Sequence, residues 1–352
     1  MTRIEFQKRT ESSSFYSPLA GMEWAEQTIE VRTDPLTGMT AGSSSELTTK
    51  EEMFYGSTDW DYATDLAATG RQGCFFCPEK VMETTPRYPD ELVPGGRLQL
   101  GRAIVFPNLF PLAAVHAVVT FPSLHFLRPS EFTPDLLTEG LSAAADFIGR
   151  AEAFYPGLAH IELCCNNMLP AGASMTHPHF QVFGGETVPW MVDLSWKRAA
   201  EWERANGAGY WQTLVEQEAA AGERFIAARD GVTWMTPWAP TGGREVIAVV
   251  PGARRAAALA PEQISFLAKG LSSVLAWYER EELSAFNFTL FGAPLDGRPD
   301  GGSPVIMRVI ARTAFRKDYR TDDYFLQKQL GGELIFLSPE QIAATLRPEF
   351  AG

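Results

Sequence analysis

The spacing of hydrophobic positions changes near Gly101. Before it, the chain is rich in Ser, Thr, Gly and Pro, which predicts extended, loop-rich structure with few helices. After it, Leu137, Leu141, Ala144 and Ile148 belong to a run spaced by three and four residues, which predicts a helix over 133–155. Short runs of β-branched and aromatic residues predict strands at 103–106, 115–121, 159–165 and 177–183.

This order of elements occurs twice along the chain. The stretch 105–122 matches 235–251 in its prolines and strand pattern, and the helix that follows each stretch begins with a proline, at Pro134 and at Pro261. The repeat predicts an α+β protein: a duplicated fold with antiparallel sheets and helices packed on one side. We expect a first half at 1–193, a helical connector at 194–230 and a second half at 231–352.

Composition limits the possible functions. The 352 residues are 45% hydrophobic and 21% charged, which is typical of a globular protein. The net charge of −13 makes general nucleic-acid binding improbable on electrostatic grounds. No apolar run approaches the ~20 residues of a membrane span, and the start is not a secretory signal. Four cysteines are too few for a disulfide framework, so we expect a cytoplasmic protein.

All five histidines lie between His116 and His179, within the first half. The second half repeats the strands without them: His125 is matched by Arg254, and the stretch HPHFQ at 177–181 by PVIMR at 304–308. Because the same frame is built without histidines, the pattern favours a chemical role for those of the first half. Chance clustering of a rare residue is the alternative.

A CxxC motif is formed by Cys74 and Cys77. Two thiolates at this spacing can bind one tetrahedral zinc ion, with two further ligands from the histidines. A redox pair and a buried, unreactive pair are the alternatives.

The stretch Ser174–Phe183 contains the most specific pattern in the chain. On a strand, His177, His179 and Gln181 share one face, and three polar groups in a row on an apolar strand require partners or a task. A neutral imidazole can attack phosphorus, and an amide can hydrogen-bond the phosphoryl oxygens. A second metal site is the alternative.

Five stretches together resemble the galactose-1-phosphate uridylyltransferase family of the histidine-triad superfamily, whose relatives include ADP-glucose and dinucleotide phosphorylases. They are RTDPLTG at 32–38, CFFC at 74–77, FPNLFP at 106–111, the segment 166–181 and LSPEQIAATL at 337–346. They span nearly the whole chain, and the family's doubled fold agrees with the repeat.

The resemblance implies roles for particular residues. His179 would be the nucleophile that accepts a nucleoside monophosphate from a nucleotide or nucleotide sugar and passes it to a phosphorylated small molecule. Gln181, Ser174 and Asn166 would contact phosphate, whereas Asn108, Phe110 and Lys50 would bind the rest of the substrate. Zinc would be held by Cys74, Cys77, His125 and His177. The resemblance also suggests a homodimer.

The sequence departs from the family where substrates are recognised. The family's arginine pair after the RTDPLTG turn is absent, and Leu109 stands where the uridylyltransferases have an acidic residue. A late group of basic residues could replace those arginines or form a solvated strand face; it comprises Arg308, Arg312, Arg316, Lys317 and Arg320.

Three functions follow from these observations. The first is nucleotidyl transfer through a nucleotidyl-His179 intermediate. The second is a diverged enzyme that keeps the histidine but acts as a hydrolase or on a specialised metabolite. The third is a non-catalytic, zinc-stabilised binding protein, which the presence of Ser174, His177, His179 and Gln181 together argues against.

Overall fold

Two β-sheets and nine α-helices make up the computed structural model, which describes residues 3–351. The strands are β1 Gln7–Ser17, β2 Glu23–Thr33, β3 Thr40–Ser44, β4 Leu98–Leu100, β5 Ala103–Pro107, β6 Val115–Thr120, β7 His160–Asn167, β8 His179–Gly185, β9 Phe225–Arg229, β10 Val232–Met235, β11 Gly243–Val250, β12 Phe286–Phe291, β13 Val305–Ala311 and β14 Gly332–Leu334. The helices are α1 Ser45–Thr48, α2 Glu51–Tyr55, α3 Trp60–Arg71, α4 Val81–Thr84, α5 Pro134–Phe154, α6 Trp190–Asn206, α7 Tyr210–Ala221, α8 Pro261–Arg280 and α9 Pro339–Phe350.

The larger sheet has ten strands in the order β4-β5-β6-β8-β7-β12-β13-β11-β10-β9. The first five belong to the first half of the chain. Of the last five, β12, β13, β11 and β10 belong to the second half, and the edge strand β9 lies at the end of the predicted connector. The two groups join where β7 pairs with β12, from Asn167 opposite Phe286 to Leu163 opposite Leu290. The sheet is therefore the duplicated, antiparallel structure that the repeat predicts. The limits at residues 193 and 230 remain predictions.

Helices α5 and α8, one from each half, contact each other and lie over one face of this sheet. Both begin with a proline at the first helical turn, where the missing N–H has no helical partner to lose. The side chain of Thr133 caps α5 by accepting a hydrogen bond from the N–H of Leu136. The alternate residues of the strands that face these helices form one core that spans both halves.

The connector between the halves contains α6 and α7, which pack over the opposite face of the second half. There Tyr210, Trp211 and Leu214 meet Ile247 and Val249 of β11 in a separate apolar cluster. The second half is thus covered on both faces.

The smaller sheet has the order β1-β2-β3-β14. Strands β1 and β2 form a hairpin of two eleven-residue strands, and the tip exposes Tyr16, Leu19, Met22 and Trp24. The expectation of few helices before Gly101 is wrong, because α1 to α4 all lie there. Helix α3 has an N-cap residue: the Asp59 side chain accepts a hydrogen bond from the N–H of Tyr62.

The predicted strand at 177–183 is shifted in the structure. Strand β8 begins only at His179, and Thr120 of β6 donates its hydroxyl to the carbonyl of Pro178 just before it. The reason is that Pro178 has no N–H for the ladder, while the ring of His177 turns into a buried cluster. Among residues 3–351, no helix combines the length and the apolar character that crossing a membrane requires.

Candidate active site and metal centre

Two cysteines and two histidines meet in the interior of the first half. They are Cys74, Cys77, His125 and His177, and their ligand atoms all lie within 4.8 Å of one another. Nδ1 of His177 is 3.3 Å from Sγ of Cys74, and Nδ1 of His125 is 3.2 Å from Sγ of Cys77. All four side chains are buried. The structure thus brings together the four ligands that the resemblance implies.

The surroundings of the two imidazoles fix which nitrogen faces the thiols. Nε2 of His125 lies 2.9 Å from the carbonyl oxygen of Ala67 in α3, and Nε2 of His177 lies 3.2 Å from the carbonyl oxygen of Phe121. A carbonyl only accepts, so each Nε2 carries the hydrogen and each Nδ1 directs its lone pair toward the cysteines. Such outer hydrogen bonds orient imidazole ligands in metal sites.

Burial in this cluster disfavours the charged forms of its cysteine and histidine side chains when no cation is bound. It raises the pKa of Cys77 to about 11 and lowers the pKa of His177 to about 3. A bound cation would offset the burial of the two thiolates, and two thiolates with two neutral imidazoles suit a soft tetrahedral ion. The four residues therefore could hold a metal ion.

His179 lies two positions after His177 in the chain but is not part of the cluster. Its Nδ1 donates to the backbone carbonyl of His177, at 2.9 Å, which leaves the lone pair on Nε2. Burial also lowers its pKa, so the ring is neutral. In the described part of the chain, Nε2 has no hydrogen-bond partner, and the ring retains 9% of its exposure.

Phe76, inside the CxxC motif, contacts both the cysteine–histidine cluster and His179. Its ring meets the ring of His177 edge-on at 5.7 Å and that of His179 at 5.5 Å between centroids. On the other side it packs against Phe106 of β5. The turn that carries the two cysteines therefore also holds the rings of both histidines in place.

Gln181 lies on the same face of β8 as His179 and has a fixed amide orientation. Leu112 donates its N–H to Nδ1 of His116, at 3.1 Å, so the hydrogen of His116 is on Nε2. That Nε2 donates to Oε1 of Gln181, at 2.8 Å. Asn108 also reaches Oε1 with its amide nitrogen, at 3.4 Å. With its oxygen occupied, Gln181 presents its NH₂ group as the remaining donor.

Sequence reasoning assigned no role to His116. The repeat gives one indication of such a role. His116 precedes the closing proline of its repeat unit by six residues, and Glu245 occupies the same polar position in the second half. His160, also unassigned, is a buried partner of Glu162, at 2.8 Å.

Asn166 lies on β7 beside His179, since the preceding Cys165 pairs with Phe180. Its Oδ1 accepts a hydrogen bond of 2.7 Å from Asn287 of β12, whose own oxygen accepts one of 2.8 Å from Arg312. A polar chain therefore connects the second half to the edge of the site.

Other predicted substrate residues lie around the site or away from it. Ser174 is exposed in the loop that leads to β8, and Phe110 is 78% exposed in the loop after Asn108. Lys50 is exposed before α2, where the adjacent Glu51 pairs with Arg244 of the second half. The structure shows no contact between Lys50 and His179, Gln181 or Asn166 among residues 3–351, and all three substrate roles remain predictions.

Three of the five late basic residues, Arg308, Arg312 and Arg320, are engaged by protein groups. Arg308 pairs with Glu245 at 2.6 Å, and Arg312 pairs with Asp322 at 2.6 Å and with Asp323. Arg320 stacks on Phe54 with its guanidinium carbon 4.2 Å from the ring centroid. These contacts give the arginines structural partners of their own.

Comparison with known proteins places this architecture among solved structures. An ADP-glucose phosphorylase from Arabidopsis thaliana with bound ADP-glucose has a TM-score of 0.68 at 18% identity, covering 91% of this chain and 98% of that one. A GalT-like protein from Arabidopsis thaliana gives 0.67 at 18% identity, with 90% and 98% covered. A uridylyltransferase gives 0.63 at 19% identity, with 91% and 98% covered.

This chain has the uridylyltransferase fold. The predicted resemblance and the α+β fold class are thereby confirmed at the level of structure. No family model matches the chain. Among curated proteins, an uncharacterized protein of Archaeoglobus fulgidus is 29% identical over 345 residues, which is 98% of each chain. Within the uridylyltransferase fold, the cysteine–histidine cluster and His179 lie in the half that contains the histidines.

Proposed function

We propose that the chain is a nucleotidyltransferase that works through a covalent nucleotidyl-His179 intermediate. The observation that carries this proposal is the geometry of His179: Nδ1 is bound to the His177 carbonyl, and Nε2 keeps its lone pair on the face that also holds Gln181. The proteins with this fold include a uridylyltransferase and an ADP-glucose phosphorylase, which supports nucleotidyl transfer as the class of reaction.

The reaction divides into two displacements at phosphorus. Nε2 of His179 attacks the α-phosphorus of a nucleotide-sugar-like donor, so that an N–P bond forms and the bond from phosphorus to the leaving sugar phosphate breaks. A phosphate oxygen of the acceptor then attacks the same phosphorus, and the N–P bond breaks with return of its electron pair to Nε2. The NH₂ group of Gln181 stabilises the charge on the phosphoryl oxygens in both steps.

We propose zinc as the ion of the Cys74, Cys77, His125 and His177 cluster. A tetrahedral zinc ion with bonds of about 2.0–2.3 Å separates its ligand atoms by roughly 3.3–3.8 Å. Three of the four sulfur–nitrogen distances in the cluster are 3.2, 3.3 and 3.8 Å, and all its ligand atoms lie within 4.8 Å of one another. All four ligands come from the protein, so the ion would stabilise the segments around His179 and leave no open position for substrate. Thiolate ligation needs reduced cysteines, which fits the cytoplasm.

We further propose a homodimer, as the resemblance suggests. Large apolar side chains are exposed in two places, at the hairpin tip around Trp24 and in the loop that contains Leu109, Phe110 and Leu112. Contiguous apolar surface of this kind is typical of protein interfaces. Light scattering after size exclusion tests the proposal, and a monomer at micromolar concentration would refute it.

The decisive experiment looks for the intermediate. The protein is mixed with UDP-, ADP-, GDP- and CDP-sugars and dinucleoside polyphosphates, quenched in alkali and measured by intact mass. A nucleoside-monophosphate adduct that is absent from His179→Ala supports the proposal and identifies the base.

A second candidate is a diverged enzyme that acts as a hydrolase or on a specialised metabolite. The pairing of Arg308 and Arg312 with carboxylates favours it, because paired guanidinium groups bind a polyphosphate less well. The absence of an adduct with every donor, in protein loaded with zinc and well folded, would favour this candidate.

A further inference from the structure

A partly open cavity lies on the sheet face that carries His179, but in the other half of the chain. Gln181, Cys164, Thr289 and Arg308 are paired in one row across β8, β7, β12 and β13. Adjacent strands are about 4.8 Å apart, so the backbones of Gln181 and Arg308 are separated by roughly 14 Å. Above Arg308 and Thr289 lies a cavity of about 310 Å³, closed by α6, α7 and the turn at 34–37.

The cavity occupies the place in the second half that the reactive site occupies in the first. Arg308 takes the position of Gln181 in the repeat, and Glu245 takes that of His116. The contacts are repeated too. Arg308 donates Nε–H to Glu245 at 2.6 Å, and the N–H of Thr241 donates to Glu245 at 2.6 Å, as that of Leu112 does to His116. The duplication has kept the polar frame of a ligand site and replaced its histidines.

Two buried polar atoms at this cavity have no partner among the described residues. They are Oε2 of Glu218, a side chain that is 1% exposed, and Nε1 of Trp211, a side chain that is 6% exposed. Both residues line the cavity. A buried acceptor and a buried donor without partners each cost about 1–3 kcal/mol, which a bound molecule would recover after a small rotation of each side chain that turns the atom into the cavity. These two atoms therefore favour a ligand that both donates and accepts hydrogen bonds.

The walls and the charge restrict the ligand further. The rings of Phe6, Tyr210, Trp211 and Trp238 line the cavity, so a flat ring system can pack against them. Arg308 is already paired with Glu245, and the carboxylates of Asp34 and Glu218 also face the cavity while only Arg224 offsets Glu218. A phosphate would meet these carboxylates, whereas a neutral molecule would not. The volume is at the small end of the about 300–1,000 Å³ range of ligand pockets.

We infer that this cavity is a second ligand site, which binds a neutral, flat heterocycle with hydrogen-bond donors and acceptors, a nucleobase or nucleoside. The site is independent of the proposed nucleotidyl transfer, because it shares no side chain with His179 or the metal cluster. Arg308 and Thr289, which lie under the cavity, are connected to Gln181 of the first half through the row of paired strand residues.

Calorimetry with uridine, cytidine, adenosine and guanosine, and with the monophosphate of each, tests the inference. We expect one nucleoside to bind at the site that Val192→Phe blocks, and its monophosphate to bind that site at least tenfold more weakly. Val192→Phe, which fills the cavity from α6, should remove this binding. Trp211→Phe should weaken it about two- to tenfold, because one hydrogen bond is lost.

Trp202→Phe is the matched control. It makes the same change to a tryptophan whose Nε1 is also buried without a partner, but which does not line the cavity. It should leave the affinity unchanged. Equal effects of the two tryptophan variants, tighter binding of the monophosphate at the site blocked by Val192→Phe, or no binding of any nucleoside at 5 mM would each overturn the inference. None of these outcomes depends on whether an adduct forms on His179.

Discussion

His177 and His179 are two positions apart, but their side chains have different surroundings because their backbones differ. His177 precedes β8 and points its ring into the cluster with Cys74 and Cys77, whereas His179 is the first residue of the strand. The carbonyl of His177 then accepts the Nδ1 hydrogen of His179. A single residue thus contributes its side chain to the cluster and its backbone to the orientation of the proposed nucleophile.

Substitution of the two histidines should separate these roles. His179→Ala should abolish turnover with little change in melting temperature, because the metal ligands are untouched. His177→Ala should lose the metal and also lower the melting temperature, by roughly 5 °C or more, since a buried ligand set is broken. Metal content, melting curves and activity are measured on both variants. Identical melting temperatures would contradict this division.

We propose that His116 is a positioning residue of this site, because its Nε2 donates to the side chain of Gln181. His116→Ala should lower kcat about 10- to 100-fold, since the Gln181 amide loses the donor that orients it. In His116→Gln an amide nitrogen can replace Nε2 of the imidazole, so activity should largely return. A purely structural role for His116 predicts instead that activity follows melting temperature in both variants.

A double-mutant cycle checks the same connection. If His116 works through Gln181, then His116→Ala should have little further effect on kcat in a Gln181→Ala background. Additive losses would show that the two residues act separately.

The sequence named candidate residues for the site but not the contacts between them. His179, Gln181 and the four proposed metal ligands were named because spacing and resemblance depend on residue type alone. His116 was missed because its role depends on β6 and β8 being neighbours, which places it beside Gln181 only in the folded sheet. The pairing of Arg308 with Glu245 was hidden for the same reason, since 63 residues separate them.

Among the elements, α5 and β8 depend on a close approach that one glycine permits. A Cβ atom at Gly140 would lie 2.7 Å from the ring of Phe180 and 2.7 Å from that of Phe121. Phe180 is on the opposite face of β8 from His179. The contact at Gly140 therefore sets the distance between α5 and β8, the strand that begins with the proposed nucleophile His179.

Gly140→Ala should displace β8 or force these rings from their rotamers. We expect a loss of about 1–3 kcal/mol in the free energy of unfolding, together with reduced kcat. Gly149→Ala on the same helix is the control, because its nearest neighbour would be Cβ of Ala257 at 3.3 Å and alanine favours helix by about 1 kcal/mol. Denaturant unfolding of both variants measures the difference. Equal stability of the two would show that the close contact has no energetic weight.

For the whole molecule, the repeat was the most informative part of the sequence. It predicted the order of strands and helices in each half, because hydrophobic periodicity is a local property. The joining of the halves through β7 and β12 could not be predicted, since no local pattern specifies which edges of two similar units pair. The cavity over Arg308 was equally hidden, because it requires α6 and α7 to fold back over the second half.

The continuous sheet predicts that the two halves unfold together. The strands β7 and β12 pair along five positions, and one core includes residues from both halves, so loss of either half exposes apolar surface on the other. In a variant with Trp24, Trp60 and Trp190 replaced by phenylalanine, the remaining tryptophans lie in the connector and the second half, where Trp234 and Trp277 are buried. Their fluorescence reports on that part of the chain, while a chromogenic chelator reports zinc release from the first half.

The two signals should change at one temperature, within about 2 °C. Cys74→Ser, which weakens the proposed zinc site, should lower that temperature for the fluorescence transition as well, although no tryptophan of the second half touches the cluster. A fluorescence transition that stays at its original temperature in Cys74→Ser would show that the halves are separate folding units. Such a result would also mean that the β7–β12 junction contributes little to stability, and that binding in the second cavity could not be transmitted to His179 through the sheet.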